Sequence, residues 1–487
     1  MLFNSFDFAV FLPIVFILYW FVFKNNLKLQ NGLIVVASYV FYGWWDWKFL
    51  FLILLSSIID YTIGISLKDQ ENQKKRKYLL WLSIISNLGI LLFFKYFNFF
   101  IDNFTNAFSL LGYQIPTTSL NIILPVGISF YTFQTMSYTI DVYKKKLEPT
   151  KDFIAFSAFV SFFPQLVAGP IERAKHLLPQ FYKKRFFDYG KSVDGLRQIL
   201  WGLFKKVVIA DNCAELANQI FNHSDQYSGL TLFFGAVFFT FQIYCDFSGY
   251  SDIAIGTSRL FGFDLMQNFA TPYFSRDIAE FWRRWHISLS TWFRDYLYIP
   301  LGGSHGSINK KIRNTFIIFL VSGFWHGANW TFIVWGGLNA IYFLPLLLTK
   351  KNRNNIGVVA ENTFLPSFKE LFQMTTTFLL TVVAWVFFRA ENIFHAKYYL
   401  FSMFKGMTEL QNYFDSIQFF KENIGGEFSL ILLFFFILEW FGRKGLFALS
   451  NFNTIKSKYF RWSFYFLIFG IIFWFGGKEQ EFIYFQF

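Results

Sequence analysis

Long apolar stretches separated by short polar ones are the main pattern along this chain of 487 residues. A helix that crosses a bilayer needs about 20 apolar residues, and several of the stretches are too short to cross alone. Short ones indicate tilted, broken or re-entrant segments that protein or water covers. We expect about 10–12 crossings with at least one re-entrant element. The apolar stretches are 6–23, 32–42, 49–67, 79–100, 121–143, 153–169, 230–243, 316–324, 330–348, 372–388, 430–441 and 462–475.

The stretch 153–169 is the clearest candidate for a re-entrant element. Pro164, Gly169 and Pro170 interrupt its apolar sequence. If this stretch crossed fully, the strongly basic segment 173–197 would lie outside, against the rule that cytoplasmic loops are rich in Lys and Arg. A segment that enters and leaves on one side avoids this conflict. A different number of spans would also avoid it.

Basic residues alternate between the loops of the first half of the chain. They occur in 24–28, 68–77 and 144–151, whereas the loops between carry Lys48 alone or no basic residue. The positive-inside rule therefore predicts that the N-terminus is outside. No basic residue precedes position 24, so the first apolar stretch is predicted to be a retained span and not a cleaved signal peptide.

Composition supports a membrane protein. Hydrophobic residues make up 54% of the chain and charged residues 15%, and the mean hydropathy is +0.37, which exceeds what a soluble domain of this length can bury. The net charge of +13 is explained by basic loops facing an anionic leaflet, and no motif indicates nucleic-acid binding. Cys213 and Cys245 form no CxxC spacing, so neither a disulfide framework nor a metal site is expected.

Two polar tracts, 350–368 and 405–427, are the only linker-like segments in the sequence. They are expected to divide an N-terminal and central body from a C-terminal bundle, and not two independent domains. We expect one membrane domain over residues 1–487, with an N-terminal and catalytic body in 1–349 and C-terminal helices in 350–487.

Polar residues that could carry chemistry are concentrated between 244 and 330. Asp246, Ser248 and Asp252 interrupt an apolar stretch, and such groups are costly at membrane depth. They are therefore predicted to line a water-filled or substrate-filled cavity. A turn at the end of a helix, near the membrane surface, would also explain them.

The segment 275–295 is predicted to be one amphipathic helix at the membrane interface. Ser275, followed by acidic residues, is typical of a helix start, and Glu280 can pair with Arg284 one turn later. The residues that would then share one face are Trp282, His286, Leu289 and Phe293. A membrane anchor whose histidine is incidental remains the alternative.

His326 lies between Gly323 and Gly327 in a short polar break between two apolar stretches. A buried histidine titrates near neutrality, which makes it a candidate site residue. Neighbouring glycines would let a substrate approach the ring. Small residues four apart are also typical of a close contact between two helices.

Five segments resemble conserved blocks of the membrane-bound O-acyltransferase superfamily, in its bacterial alginate O-acetyltransferase-like branch. They are 124–134 (LPVGISFYTFQ), 163–170 (FPQLVAGP), 246–252 (DFSGYSD), 281–290 (FWRRWHISLS) and 323–327 (GFWHG). The resemblance implies an all-α polytopic membrane protein, a multi-helix bundle with re-entrant elements and a central funnel.

The resemblance also implies roles for particular residues. The invariant histidine of the superfamily corresponds to His326, and its second polar position corresponds to His286. Trp325 and Asn329 are weaker candidates for orienting the site. Arg283 and Arg284 are expected to anchor their helix and to meet phosphates of the donor. The segment 302–306 departs from the family pattern at His305, so no role is transferred to that residue.

Acyl transfer from a thioester to a hydroxyl needs a base for the hydroxyl proton and donors for the developing oxyanion. His326 is the predicted base, and His286 could position a substrate or polarise the carbonyl. The expected donor is acetyl-CoA or another cytoplasmic acyl thioester, with no bound cofactor. The expected acceptor is an extracytoplasmic polysaccharide such as alginate, reached through a periplasmic acetyltransferase partner. The expected location of the protein itself is the cell inner membrane.

Three alternatives remain open from the sequence: D-alanyl transfer, lipid or protein acylation within the same superfamily, and transport of an envelope glycan. A transporter usually contains paired broken helices in corresponding halves, and the sequence shows no such internal repeat.

Overall fold

The computed structural model describes residues 1–113 and 120–485. Within these ranges every regular element is helical and no strand occurs, so the predicted all-α class is confirmed. The chain forms two compact units, one of Met1–Gly195 with Thr257–Met266 and one of Leu196–Gly256 with Gln267–Phe487. The grouping of all residues into one domain, with a subdivision after residue 349, stays a prediction.

The first unit consists of helices. Polar caps begin several of them, since Ser5, Asn26 and Asn72 each accept a hydrogen bond from a first-turn amide. The helices are α1 (Phe6–Ile17), α2 (Leu27–Asp46), α3 (Leu50–Lys68), α4 (Gln73–Leu91), α5 (Phe97–Leu110), α6 (Ile128–Tyr143), α7 (Phe153–Ser161), α8 (Phe163–Leu166) and α9 (Ala174–Leu177).

A buried carboxylate joins three helices of this unit. Asp60 of α3 accepts hydrogen bonds from Asn87 of α4 at 2.7 Å and from Thr139 of α6 at 2.6 Å. Ser83 of α4 donates to the same carboxylate. Buried polar oxygens are costly unless they are hydrogen-bonded, so this network fixes how α3, α4 and α6 pack.

The predicted break near Pro164 is present. Helix α7 ends at Ser161 and Pro164 lies in the first turn of α8, where its missing N–H costs no helical hydrogen bond. The apolar stretch 153–169 is therefore two short helices. Whether it re-enters the membrane stays a prediction.

Two helices, α10 (Tyr189–Leu203) and α12 (Gly229–Leu260), contain residues of both units. The second unit also contains a π-helical segment, Phe204–Ala210, which continues α10. Its other helices are α11 (Asp211–Asn222), α13 (Ile278–Arg284), α14 (Ile287–Phe293), α15 (Ile308–His326), α16 (Trp330–Leu348), α17 (Phe368–Arg389), α18 (Ile393–Gly406), α19 (Leu410–Asn423), α20 (Gly425–Gly442) and α21 (Lys458–Phe475).

Six helical segments in the described ranges are long and apolar enough to cross a membrane. They are Leu27–Lys68, Gln73–Leu110, Gly229–Leu260, Trp330–Leu348, Phe368–Arg389 and Gly425–Gly442. The first contains 42 residues, which at about 1.5 Å per residue is twice the length that one crossing needs. Because the first two segments each contain two consecutive helices, six segments can supply more than six crossings. The predicted number of 10–12 stays a prediction.

Candidate active site

The chain breaks at His286. Helix α13 ends at Arg284, His286 has φ of 42° and ψ of 55°, and α14 begins at Ile287. The prediction of one helix over 275–295 is therefore wrong, and the four residues expected on its shared face do not lie on one continuous helix. Left-handed backbone is unusual for a residue with a side chain and occurs often at functional sites.

The start of α13 also differs from the prediction. The cap is Asp277, whose carboxylate accepts the Glu280 amide at 2.7 Å, because Ser275 instead donates to the Pro272 carbonyl at 2.6 Å. The predicted pairing of Glu280 with Arg284 is present, at 2.9 Å.

His286 lies in an almost fully buried setting of aromatic rings. Its ring meets the Phe247 ring edge-on at 4.6 Å between centroids, and its Nδ1 lies 3.0 Å from Oδ1 of Asn268. Burial lowers the pKa of His286 to about 3. The imidazole is therefore neutral at physiological pH, as a hydrogen-bond acceptor or a base must be.

His326 is the last residue of α15 and is 3% exposed. The glycines on either side of it serve the contact between α15 and α16. A Cβ at Gly323 would overlap the Phe332 carbonyl oxygen, and a Cβ at Gly327 would overlap the Phe332 ring. The structure thus supports close helix packing as the reason for both glycines. The same packing places the His326 imidazole against the ring of Trp335, at 5.1 Å between centroids.

Tyr484, which the sequence analysis did not single out, lies beside the predicted base. Its Oη lies 3.5 Å from Nδ1 of His326, and its ring packs 4.4 Å from that of Phe247. The two imidazoles face common rings, since Trp325 lies 4.9 Å from the His326 ring and 6.2 Å from the His286 ring. The structure therefore brings the two predicted catalytic histidines together around Trp325 and Tyr484.

Backbone and side-chain contacts hold the C-terminal segment, residues 476–485, in place. Gly477 N donates to the Val207 carbonyl at 3.0 Å, Lys206 Nζ donates to the Gln480 carbonyl at 3.1 Å, and Ile483 N donates to Asp246 Oδ2 at 2.7 Å. A run of aromatic residues with one hydroxyl after a charged stretch was the available signal. Hydropathy alone does not indicate that this segment lies near the two histidines.

The predicted polar residues of 244–252 lie in the middle of α12, so the alternative of a helix-end turn is wrong. Asp246 pairs with Lys206 at 2.9 Å, and Asp252 pairs with Lys205 at 2.6 Å. Ser248 accepts a hydrogen bond from Lys205 at 3.0 Å. Both lysines belong to the π-helical segment Phe204–Ala210. These buried pairs hold that segment against α12, and direct contact of the three residues with substrate stays a prediction.

The two arginines of α13 have different surroundings. Arg284 donates to the Gly357 carbonyl at 3.0 Å and to the Glu280 carboxylate, which are contacts of a structural residue. Arg283 donates to the carbonyls of Asn352 and Asn355 at 3.0 and 2.7 Å, and it also lines a cavity.

That cavity has a volume of about 460 Å³ and lies between α13, α14, α15 and α16. Arg283, Arg294 and Arg353 line it, together with apolar side chains such as Phe319. Ser322 of α15 also lines it and lies one turn before His326. The cavity thus combines cationic groups with an apolar wall close to the predicted base.

Asn329 caps α16. Its Oδ1 accepts the Thr331 amide at 3.0 Å and its Nδ2 donates to the Glu391 carbonyl at 2.7 Å. These bonds give Asn329 a structural role, and an orienting role in the site stays a prediction. Residues 1–113 and 120–485 contain no cluster of three or more His, Cys, Asp or Glu side chains that could hold a metal ion.

Similarity to known proteins decides the family. The sequence model of the membrane-bound O-acyltransferase family matches residues 39–361. The chain belongs to this family. It is 42% identical over 386 residues to the probable alginate O-acetylase AlgI of Pseudomonas aeruginosa, covering 79% of this chain and 71% of the relative. The alginate O-acetyltransferase-like branch is confirmed.

Two further relatives show how far the similarity extends within the membrane-bound O-acyltransferases. The peptidoglycan O-acetyltransferase of Helicobacter pylori is 37% identical over 441 residues, covering 84% of this chain and 80% of the relative. The teichoic acid D-alanyltransferase of Bacillus subtilis is 29% identical over 237 residues, covering 45% of this chain and 58% of the relative. The protein is an O-acyltransferase and a multi-pass membrane protein.

Proposed function

We propose that this enzyme moves an acetyl group from a cytoplasmic thioester to hydroxyls of an extracytoplasmic polysaccharide, with His326 as the general base. The relatives that cover most of this chain are named for O-acetylation of alginate and of peptidoglycan, which supports acetyl as the group and a polysaccharide as the final acceptor. The observation that carries the mechanism is the contact between Nδ1 of His326 and a hydroxyl, at 3.5 Å.

The chemistry follows from that contact. A hydroxyl oxygen attacks the thioester carbonyl, and its proton passes to His326 as the new C–O bond forms. The C–S bond then breaks, and the leaving thiolate takes the proton back from His326. These bond and proton changes balance without a metal ion or a redox partner.

A hydroxyl within reach of His326 is the phenol of Tyr484, and it supports an acyl-tyrosine as a first product. Burial raises the pKa of Tyr484 well above its usual value, so this phenol needs a base before it can attack. The acetyl group would then pass from Tyr484 to a hydroxyl of a periplasmic acetyltransferase partner, and from there to the polysaccharide.

The cavity beside α13 and α14 supports a phosphate-bearing donor. Guanidinium groups bind phosphate through paired hydrogen bonds, and Arg283, Arg294 and Arg353 line this cavity. A donor such as acetyl-CoA would place its phosphates among these arginines and direct its thioester toward Ser322 and His326. The basic loops favour the cytoplasmic side for donor entry. A cytoplasmic donor and an extracytoplasmic acceptor support a location in the cell inner membrane.

D-alanyl transfer is the second candidate, because the chain is also similar to a teichoic acid D-alanyltransferase. The similarity covers 45% of this chain, less than for the O-acetylating relatives.

Mass spectrometry of surface polysaccharide from cells with and without the gene tests the proposal. We expect ester-linked acetyl to disappear with the gene and to return with the wild-type gene, but not with a His326→Ala gene. Unchanged acetyl in the deletion strain would contradict the proposed function. Loss of ester-linked D-alanine would support the second candidate instead.

A further inference from the structure

Asn268 is buried against His286, and three donors converge on its side-chain oxygen. His286 Nδ1 lies 3.0 Å from Oδ1, Ser288 Oγ lies 2.9 Å from it, and Ser288 N lies 3.4 Å from it. The amide nitrogen of Asn268 donates to Ser251 Oγ at 3.1 Å. The side chain is 1% exposed, so these bonds fix its orientation.

The hydrogen-bond pattern determines which atom of the amide faces His286. A backbone N–H can only donate, so the atom facing Ser288 N must be the oxygen of the Asn268 amide. That oxygen can only accept, so it accepts a hydrogen bond from the Nδ1–H of His286. The neutral ring is then the Nδ1–H tautomer, in which Nε2 bears the lone pair.

Backbone hydrogen bonds hold Asn268 beside His286. The Asn268 carbonyl accepts the Ile287 amide at 2.8 Å, and the Ala270 amide donates to the Arg284 carbonyl at 3.0 Å. These two bonds enclose the residue with left-handed backbone, His286. The break between α13 and α14 is therefore stabilised by the same loop that supplies Asn268.

We propose that Asn268 is a positioning residue that holds His286 as the Nδ1–H tautomer, so that Nε2 accepts a hydrogen bond from the attacking hydroxyl. This deepens the proposed function, since it assumes that His286 belongs to the acyl-transfer site. A ring with its proton on Nδ1 has no Nε2 proton to give to the thioester carbonyl. His286 thus orients the acceptor hydroxyl and does not polarise the carbonyl, which was another role open from the sequence, while His326 remains the proposed base.

Three substitutions test this assignment. Asn268→Leu removes the acceptor with little change in volume, Asn268→Asp keeps an acceptor oxygen and adds a charge, and Ser288→Ala removes another donor to the same oxygen without touching His286. The rate is measured in isolated membranes, as the transfer of whichever acyl group the wild-type enzyme attaches. If that group is not acetyl, the proposed function fails. The ratio of the variant's transfer rate to that of the wild type still tests the role of Asn268.

We expect Asn268→Leu to lower kcat at least tenfold with the donor KM nearly unchanged, because Asn268 does not line the proposed donor cavity. Ser288→Ala should lower kcat less than Asn268→Leu, because the Ser288 amide still donates to Asn268 Oδ1. Asn268→Asp should recover most of the lost rate. As the pH is lowered, its activity should be lost at a higher pH than that of the wild type, which shifts the acid limb of the pH profile upward. A carboxylate favours the protonated imidazole, and a protonated His286 cannot accept. Among the described residues, a titratable side chain that packs against the His286 ring is that of Tyr484, at 6.4 Å between centroids.

Equal loss in Asn268→Leu and Asn268→Asp with an unshifted pH profile would overturn the proposal, as would wild-type activity in Asn268→Leu. If Asn268→Leu fails to accumulate in the membrane, the Asn268→Asp pH profile decides alone. A shifted acid limb supports the positioning role, and an unshifted one contradicts it.

Discussion

The Oη of Tyr484 lies 3.5 Å from Nδ1 of His326, although 158 positions separate the two residues in the chain. The contact joins the end of helix α15 to the C-terminal segment. It gives the proposed base a hydroxyl that belongs to the protein itself, so we predict that Tyr484 takes part in the reaction.

Tyr484→Phe removes that hydroxyl and leaves the ring contacts. Because the phenol is the proposed first acceptor and no acyl-tyrosine can form without it, we expect acetylation of the polysaccharide to be lost. Membrane content should match wild type. Tyr459→Phe is the control, since Tyr459 is 88% exposed and lies outside the site. Near-normal acetylation by Tyr484→Phe would show that the hydroxyl is not an acceptor.

Lys206 connects the C-terminal segment to the core of the second unit. It pairs with Asp211 at 2.7 Å and with Asp246 at 2.9 Å. Lys206→Met leaves two buried carboxylates without their cation, and removing one partner of a buried pair typically costs about 3–5 kcal/mol. We expect a lower midpoint of thermal unfolding in detergent together with lower activity. Lys478→Met, at an exposed pair with Glu215, should change neither. An unchanged midpoint for Lys206→Met would refute the structural role of this pair.

Arg283 and Arg284 should respond differently to replacement by Lys. Arg284 is held by the buried Glu280 carboxylate, so Arg284→Lys is expected to lower protein level and activity together. Arg283 lines the proposed donor cavity, and Lys cannot reproduce its paired contacts. Arg283→Lys should therefore raise the donor KM several-fold at normal protein level. Steady-state kinetics beside quantitative immunoblots separate the two effects, and an unchanged donor KM in Arg283→Lys would remove this residue from donor binding.

The alternating basic loops predict that residues 74–77 and 144–146 face the cytoplasm. Single cysteines introduced at Lys75 and Lys145 should not react with an impermeant thiol reagent in intact cells and should react after lysis. The native Cys213 and Cys245 are both buried, so background labelling should be low. Strong labelling in intact cells would reverse the orientation and the side from which the donor enters.

Local sequence was sufficient for much of the fold. Apolar length predicted the helical class, and one-turn spacing predicted the Glu280–Arg284 pair, because both depend on neighbours within a few residues. The break at His286 could not be predicted this way. A helical period continues through 278–293, and the bonds that interrupt it come from the loop 268–270, which local periodicity does not contain.

The candidate site shows the same limit. His286 and His326 were identifiable because each lies in a polar block within an apolar sequence. Tyr484 and Asn268 were missed, since their importance comes from contacts made after folding. Asp246 and Asp252 were noticed as costly polar groups, and the structure explains them by partners, Lys206 and Lys205, that no spacing rule links to them.

The central claim is that His326 is the base for acyl transfer and is not needed for folding. His326→Ala should reach the membrane at a normal level, and its purified form should transfer acetyl about a hundred- to ten-thousandfold more slowly than wild type, the usual loss when a general base is removed. His305→Ala is the matched control, because His305 is exposed, and it should transfer normally. If purified His326→Ala retained a tenth or more of the wild-type transfer rate, the account would be contradicted and His286 would become the leading candidate for the base.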